Sequence, residues 1–160
     1  DPLYFADVAS DLADAKLRFA CASSPIEAIP SLSEPPALKD ILASIGDTTM
    51  RLQMIDYAVN RGFRKDLFVR GGRRLPEAEY KSRVLSLRIT NSSMSDPESW
   101  EFQGRMGKLR LHENQYGPAV DALRRSNRPM SLKDLGAEIG KDFNAIREVA
   151  AVLVGTGLAY

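Results

Sequence analysis

The sequence has little of the chemistry on which metal sites and nucleophilic enzymes depend. Its 160 residues include one cysteine, Cys21, and one histidine, His112. A zinc site needs three or four nitrogen, sulfur or oxygen ligands, so we predict no metal site and no catalytic pair of cysteine and histidine. A lone cysteine also excludes a disulfide within the chain and is typical of the reducing cytosol, so we predict a cytoplasmic protein.

Neither charge nor hydropathy points to nucleic acid or to a membrane. The 22 Lys and Arg residues nearly balance the 21 Asp and Glu residues, and the formal net charge is +1. Such a chain has no global field that attracts nucleic acid, so a charged partner must be recognised by a local patch. No apolar run approaches the roughly 20 residues needed to span a bilayer, and no signal segment opens the chain. Because the chain starts at Asp1 without Met, we expect it to be a piece of a longer protein.

Hydrophobic spacing predicts mostly helices in the first part of the chain. Tyr4, Val8 and Leu12 recur at i, i+4 and i+8, which is the spacing of an amphipathic helix. The predicted elements, in order, are a helix over residues 4–16, a strand over 17–21, a linker over 22–35, a helix from Pro36 to Gly46, a further helix that follows it directly, and an extended segment over 63–70. Asp47 or Thr48 is the predicted N-cap of that further helix, and Gly62 is its predicted left-handed C-terminal cap.

Alternating patterns in the middle of the chain predict strands. Leu85, Leu87 and Ile89 alternate with polar residues, as in a half-buried strand. The predicted elements here are a short helix from Pro76 to about residue 82, strands over 85–89, around Trp100–Phe102 and around Leu109–Leu111, and a turn over 91–97. Together they predict a small antiparallel sheet.

The last third of the chain is predicted to be helical. The helices span residues 116–125 with Pro118 in the first turn, residues 132–139 with Ser131 as N-cap, and Phe143 to Leu153, and residues 158–160 start a strand. Three short helices followed by a strand are typical of the opening of a winged-helix unit, whose wing would lie beyond Tyr160. The predicted fold is therefore α+β, with a helical lead-in and small antiparallel sheet over 1–112 and a truncated, three-helix winged-helix-like tail over 113–160.

Residues 60–75, which we name the basic block, interleave cations with bulky apolar side chains. Its six cations, set against the single acid Asp66, are Arg61, Arg64, Lys65, Arg70, Arg73 and Arg74. Exposed ion pairs contribute only about 0–1 kcal/mol each, so stability alone is a weak reason to cluster six cations.

The residues of the basic block leave three interpretations open. In a structural interpretation, its apolar residues form core and its arginines pair with surface acids. The residues so assigned are Phe63, Leu67 and Val69 for the core, and Asp66, Glu77 and Glu79 for the ion pairs. In a docking interpretation, the arginines form bidentate pairs with carboxylates of another domain or of an acidic protein segment. In the third, Gly71-Gly72 offers backbone N–H groups to a phosphate.

Two runs of residues in this chain match a known pattern. The basic block reads Phe63-Arg64-Lys65-Asp66-Leu67-Phe68-Val69-Arg70-Gly71, followed by Arg73-Arg74-Leu75, and the chain opens on Tyr4-Phe5-Ala6-Asp7-Val8. These runs resemble the core signature and the entry segment of the predicted methyltransferase regulatory domain, a module C-terminal to the catalytic domain in bacterial S-adenosylmethionine-dependent methyltransferases. The resemblance implies a non-catalytic regulatory or substrate-positioning domain that docks onto the catalytic domain of the same parent chain or onto a protein substrate.

This resemblance favours docking as the role of the basic block. The predicted interaction residues are Arg61, Phe63, Arg64, Lys65, Asp66, Phe68, Arg70, Arg73 and Arg74. S-adenosylmethionine would be held by the parent's catalytic domain. A cofactor site on this chain would need a glycine-rich loop between a strand and a helix, and Gly155-Thr156-Gly157 follows a helix instead. We therefore expect this chain to bind no cofactor and to have no enzymatic activity of its own.

Two other classes of function stay open. A winged-helix tail would suit a DNA-binding transcription regulator, with Lys141, Asn144 and Arg147 on the recognition helix. Asp142 and Glu148 put negative charge on that helix, where phosphate contacts need Lys or Arg, so a winged helix that binds protein is favoured. The other class is a homodimerisation module, whose sign would be an exposed apolar patch larger than a few hundred Å².

Overall fold

The secondary structure is mixed α and β, as the sequence predicts. The computed structural model describes residues 3–92, 100–104 and 107–160, and these residues form eight α-helices and three two-stranded antiparallel sheets. The mixed fold class is therefore confirmed.

Two compact units divide the chain, Asp1–Arg73 and Arg74–Tyr160. The units therefore separate inside the basic block, between two of its arginines. The division predicted after residue 112 stays a prediction.

The first unit combines helices with a two-stranded sheet. Its elements, in chain order, are α1 (Phe5–Asp14), β1 (Leu17–Ala22), a 3₁₀ turn (Pro25–Ala28), α2 (Pro30–Ser33), a second 3₁₀ turn (Pro36–Leu38), α3 (Lys39–Ser44), α4 (Thr48–Ala58) and β2 (Asp66–Arg70). Helix α1 packs against both α4 and β1 and so covers one side of the sheet. The segment predicted as a linker over 22–35 contains short helical turns, because Pro25 and Pro30 each begin one.

Local side chains explain where these elements begin and end. The Asp47 carboxylate accepts the Met50 N–H at 2.7 Å, so the predicted cap of α4 is confirmed. Lys16 has a φ of 61° and reverses the chain between α1 and β1. The left-handed residue after α4 is Asn60, with a φ of 47°, so the prediction of Gly62 as the cap is wrong. Asparagine adopts this conformation more readily than other residues with a side chain, because its short polar side chain can form local hydrogen bonds, so the left-handed position here needs no glycine.

Strands β1 and β2 pair in an antiparallel register that gives the sheet two different sides. Phe19 lies opposite Phe68 and Cys21 lies opposite Leu67, with a bulge between Phe19 and Cys21. The rings of Phe5 and Phe19 are 5.3 Å apart and those of Phe19 and Phe68 are 5.8 Å apart, both edge to face. Since successive strand residues point to opposite sides, Phe19 and Phe68 define an inner side toward α1, and Leu67 belongs to the outer side.

The second unit contains the remaining elements. In chain order they are α5 (Glu77–Ser86), β3 (Arg88–Ile89), β4 (Glu101–Gly104), β5 (Gly107–Arg110), α6 (Glu113–Ser126), β6 (Met130–Ser131), α7 (Leu132–Glu138) and α8 (Phe143–Gly155). Its core lies among α6, α7 and α8, where the fully buried side chains are Leu123, Leu135, Ile146, Val149, Val152 and Leu153. The predicted cap of α7 is confirmed, since the Ser131 hydroxyl accepts the Asp134 N–H at 3.1 Å.

The strand predicted over residues 85–89 is confirmed only at its end. Helix α5 continues through Ser86, and only Arg88 and Ile89 form a strand. Tyr80 and Val84 lie one turn apart, and the Tyr80 ring meets Phe143 of α8 at 6.0 Å. Helix α5 thus packs on α8 and extends two residues into the segment predicted as a strand.

The strands of the second unit do not form the single sheet predicted for them. Strand β3 pairs with β6, and β4 pairs with β5, as separate antiparallel pairs. Helix α6 begins at Glu113, earlier than predicted, so Pro118 lies inside the helix and the prediction that it occupies the first turn is wrong. The turn predicted over 91–97 lies outside the described residues from position 93 onward.

The end of the chain adds a further pairing to the second unit. Thr90 and Tyr160 exchange two backbone hydrogen bonds of 3.0 Å, and Asn91 forms an antiparallel bridge with Ala159. Ala159 and Tyr160 are thus extended, as predicted, while Leu158 lies in a bend. The winged-helix assignment of the tail stays a prediction.

Candidate interaction site

The basic block divides between the two sides of the sheet. Asp66 and Phe68 of β2 point to the inner side, where Arg64 joins them, while Leu67 and Val69 are 53% and 41% exposed. Strand alternation produces this division, because adjacent residues of β2 face opposite ways. The nine predicted interaction residues therefore do not form one surface.

A network of ion pairs fills the inner side. Arg64 donates to both oxygens of Asp56, at 2.8 and 2.9 Å, and to both oxygens of Asp66, at 2.6 and 3.0 Å. Arg61 donates to Glu27 at 2.8 Å, and its Nε lies 3.0 Å from Asp56. The five side chains are only 6–13% exposed. Asp56 thus joins two arginines from the segment that connects α4 to β2.

Aromatic side chains surround the Arg64 guanidinium. Its central carbon lies 4.1 Å from the centre of the Phe5 ring and 6.0 Å from that of Phe19. Burial by itself would lower the pKa of Arg64, but hydrogen bonds to Asp66 and Asp56 outweigh it and raise the pKa above its ordinary value. Arg64 is therefore a permanent cation whose hydrogen-bonding capacity is used inside the unit.

The structural interpretation of the block is correct for some residues and wrong for others. Arg64 does pair with Asp66, as that interpretation expects, and the further partners of Arg61 and Arg64 are Asp56 of α4 and Glu27 of the first 3₁₀ turn. The interpretation is wrong about the apolar residues, since Phe63 is 68% exposed and Leu67 and Val69 also face solvent. The apolar residue of the block that does pack on the inner side, against Phe5 and Phe19, is Phe68, which that interpretation did not assign to the core.

The other predicted interaction residues lie on the surface. Lys65, Arg70, Arg73 and Arg74 are all exposed. Arg70 donates one hydrogen bond of 3.1 Å to the Ala15 carbonyl, at the end of α1, where a cation also meets the negative end of the helix dipole. These exposed cations, with Phe63, keep the docking interpretation open.

Three clefts of the first unit border the block. One, of about 340 Å³, lies between β1 and α4 and is lined by Glu34, Arg51 and Ile55 among others. A second, of about 870 Å³, is lined by exposed rings such as Tyr57 and Phe63, with the ion network beside them. The third, of about 610 Å³, is lined by Ala13, Lys16, Leu17, Arg18, Arg70, Gly71 and Gly72, with no acid among them. We name this third one the basic cleft.

Two acids central to the inner network escaped the sequence reasoning. Asp56 follows Leu52 by four residues and Ile55 by one, so it lies near the apolar stripe of α4. A carboxylate at such a position needs a buried cation, and the arginines of the basic block follow it directly. The sequence could therefore have predicted the buried ion pair of Asp56. Glu27 lies in a 3₁₀ turn that begins with Pro25, where no periodic pattern indicates burial.

Within the described residues, no group of three or more His, Cys, Asp or Glu side chains is placed to hold a metal ion. None of the helices in that part of the chain has the length and apolar content that crossing a membrane requires. Cys21 is exposed, opposite Leu67 in the sheet.

Comparison with protein families bears on the first unit. Residues 1–70 match the family model described as predicted methyltransferase regulatory domain. The resemblance expected from the sequence is therefore confirmed over these residues. The match spans α1 through β2 and includes the inner network, and it ends at Arg70.

One curated relative aligns with nearly the whole chain. An uncharacterized protein of Synechocystis sp. (strain ATCC 27184 / PCC 6803 / Kazusa), sll1526, is 28% identical over 160 residues. The alignment covers 98% of the chain and 31% of that protein, so the chain spans about a third of the relative's length. Both units thus have counterparts together in one longer protein.

Proposed function

We propose that this chain is a non-catalytic regulatory or substrate-positioning domain of a bacterial S-adenosylmethionine-dependent methyltransferase, and that it acts by docking. The partner is the catalytic domain of the same parent protein or a protein substrate. The family matched by residues 1–70 supports the regulatory role, and the longer relative is compatible with a domain inside a larger protein. S-adenosylmethionine would be bound by the catalytic domain, and this chain would hold no cofactor.

The observation that carries the docking role is the division of the basic block. Arg61 and Arg64 are used inside the unit, while Lys65 remains on its surface on the same side as the exposed Leu67, and Arg70 remains exposed at the end of α1. Cations beside exposed apolar area are common at protein interfaces, where arginine is an enriched anchor. Docking through these residues would shift the parent between open and closed domain arrangements, or hold a substrate near the reacting centre.

Calorimetry tests this proposal directly. The chain is titrated with the separately produced catalytic domain of its parent, with and without S-adenosylmethionine. We expect micromolar binding, and any dependence on the cofactor gives the coupling free energy between the two events. Replacing Lys65 and Arg70 with alanine should weaken binding about tenfold, as expected for the loss of two interface cations.

A matched control comes from the second unit. Arg88 donates to the Pro129 carbonyl at 2.6 Å, much as Arg70 donates to Ala15, and Lys133, like Lys65, is exposed. Replacing Arg88 and Lys133 with alanine removes the same charges and should leave binding unchanged. Equal losses in the two double variants, or no binding of the catalytic domain at any cofactor concentration, would contradict the proposal.

We also propose that the tail is a winged-helix-like unit that binds protein. Helices α6, α7 and α8, the β3–β6 pair and the extended C-terminal residues support this arrangement. Asn144 and Arg147 on α8, and Lys141 just before it, are exposed, as a DNA-binding alternative requires, but the N-cap Asp142 is exposed beside them. Gel-shift titration with random-sequence duplex DNA at low salt distinguishes the two, because a DNA-binding helix would retain measurable non-specific affinity.

A further inference from the structure

The outer side of the β1–β2 sheet carries an apolar centre between cations. By the register, Arg18 lies opposite Val69 and Cys21 lies opposite Leu67, and Lys65 precedes Leu67 by two residues on the same side. All five of these residues are exposed. We name the surface formed by Arg18, Cys21, Lys65, Leu67 and Val69 the outer face.

The outer face is continuous with the basic cleft at one end of the sheet. Arg18 belongs to both, and Lys16 and Arg70 line the cleft around Gly71-Gly72. No acid lines that cleft, and Asp66, the acid of β2, is turned to the inner side by its two bonds to Arg64. Among the residues that the structure describes, no ion pair is formed by Lys16, Arg18 or Lys65. The surface therefore combines exposed apolar side chains with unneutralised positive charge at both ends.

We propose that the outer face and the basic cleft together bind an acidic amphipathic segment of protein, with apolar side chains on Leu67 and Val69 and carboxylates on the flanking cations. This inference rests on the proposed docking function and names the chemistry of the partner. Complementary charge supplies the specificity, because carboxylates of the segment meet Lys16, Arg18 and Lys65, for which the described part of the chain provides no ion pair. The apolar contacts supply the part of the affinity that salt does not screen.

Other occupants fit this surface less well. A second copy of the chain, joined face to face by a two-fold axis, would bring Arg18 and Lys65 against their own counterparts and repel. Nucleic acid would use the cations but would leave Leu67 and Val69 without an apolar partner. An acidic amphipathic segment uses both kinds of side chain.

The first test measures binding of designed peptides to the whole chain by fluorescence anisotropy. The probe is a labelled helical peptide with leucines at i, i+3, i+4 and i+7 and glutamates flanking them. Its controls are a scrambled peptide of the same composition, which lacks the apolar stripe, and a peptide with lysine in place of glutamate. We expect the amphipathic acidic peptide to bind at least tenfold more tightly than either control. Equal binding of the scrambled peptide, or full competition by inorganic polyphosphate, would make this a general anion site and overturn the inference.

Variants then locate the site. The double variants Leu67→Ser/Val69→Ser and Arg18→Glu/Lys65→Glu should each weaken peptide binding at least tenfold. Leu87, at 59% exposed, and Lys133 provide matched controls in the second unit, so Leu87→Ser and Lys133→Glu should bind as the unaltered chain does. Unchanged binding in both outer-face variants would refute the inference. The charge variant alters exposed positions only, so it stays informative if the apolar variant unfolds.

Cys21 gives a second readout that depends on position. As the chain's single cysteine, it lies on the outer face opposite Leu67, so bound peptide should slow its reaction with a thiol reagent at least threefold. Reaction at the same rate with saturating peptide would place the peptide elsewhere and refute the inference.

The catalytic domain separates this inference from the proposed function. If both outer-face variants still bind the catalytic domain, the inference is refuted and the docking function stays in place. Peptide binding that the variants abolish, without any binding of the catalytic domain, would refute the docking function and leave the acidic-segment site standing.

Discussion

Replacing Arg64 with alanine should destabilise the first unit far more than replacing Arg70, although both arginines belong to the basic block. Arg64 makes four hydrogen bonds of 2.6–3.0 Å to Asp56 and Asp66, and its side chain is 13% exposed. Arg70 is exposed and donates a single hydrogen bond to a backbone carbonyl. The same substitution therefore probes a buried network and a surface contact.

The magnitude follows from what each substitution leaves behind. Removing one partner of a buried ion pair costs about 3–5 kcal/mol, because the remaining charge stays buried without compensation. Asp56 would keep Arg61 as a second cation, so we expect about 3 kcal/mol for Arg64→Ala, including the lost contact with the Phe5 ring. For Arg70→Ala we expect about 0.5 kcal/mol, the lower end for one exposed hydrogen bond.

Urea denaturation followed by far-ultraviolet circular dichroism measures the difference. With a slope of about 2 kcal/mol per molar urea, Arg64→Ala should lower the midpoint by about 1.5 M and Arg70→Ala by about 0.3 M. Trp100, the single tryptophan, belongs to the second unit, so its fluorescence serves as an internal reference. Arg64→Lys should recover only part of the loss, because an ammonium group cannot form two bidentate pairs. Equal midpoints for Arg64→Ala and Arg70→Ala would refute the structural role of the network.

Three further substitutions test other features of the fold. Asp47→Ala should cost about 1 kcal/mol in urea denaturation by removing the side-chain cap of α4, while Asp47→Asn should cost little. Burial and the charge of Glu148 raise the pKa of Tyr116. The stability that this residue contributes is therefore complete below about pH 10 and falls as pH rises through the pKa of Tyr116 in the folded protein. Tyr116→Phe should reduce the alkaline loss of stability in a pH series of thermal melts. Gly136→Ala should destabilise by about 1–2 kcal/mol in thermal melts, despite the better helix propensity of alanine, because its Cβ would lie 3.2 Å from the Lys141 carbonyl oxygen.

Local signals in the sequence predicted the helices well. The spacing of Tyr4, Val8 and Leu12 gave α1, and the side-chain caps Asp47 and Ser131 marked the starts of α4 and α7. These features act within one or two turns of the chain, so a window of residues contains the physics that decides them.

Features that depend on distant partners were harder to predict. Residues 85–89 alternate as a strand would, yet helix α5, whose Tyr80 packs against Phe143 63 positions along the chain, runs through Ser86, so only Arg88 and Ile89 form a strand. Which strands pair also depends on the whole fold, and β3 joins β6 across an interval that includes α6.

The candidate site illustrates the same limit at the level of side chains. The sequence marked the basic block correctly as unusual, but charge alone does not reveal which cations are neutralised. Arg64 and Lys65 are neighbours with opposite environments, because one meets Asp56 of α4 and the other faces solvent. Only the placement of α4 beside the sheet distinguishes them.

The alternation in β2 has a consequence for how this part of the chain can change over evolutionary time. Suppose that one residue were inserted or deleted between Gly62 and Asp66 and that β2 slipped by one position against β1. Every side chain of β2 would then point to the opposite side of the sheet. Leu67 and Val69 would then replace Phe68 among the aromatic rings, and Asp66 would leave Arg64 without its second carboxylate. We therefore expect relatives that retain the inner network to vary this connection by substitution and not by single-residue changes in length. An alignment of such relatives that shows frequent one-residue gaps at this point would contradict the expectation.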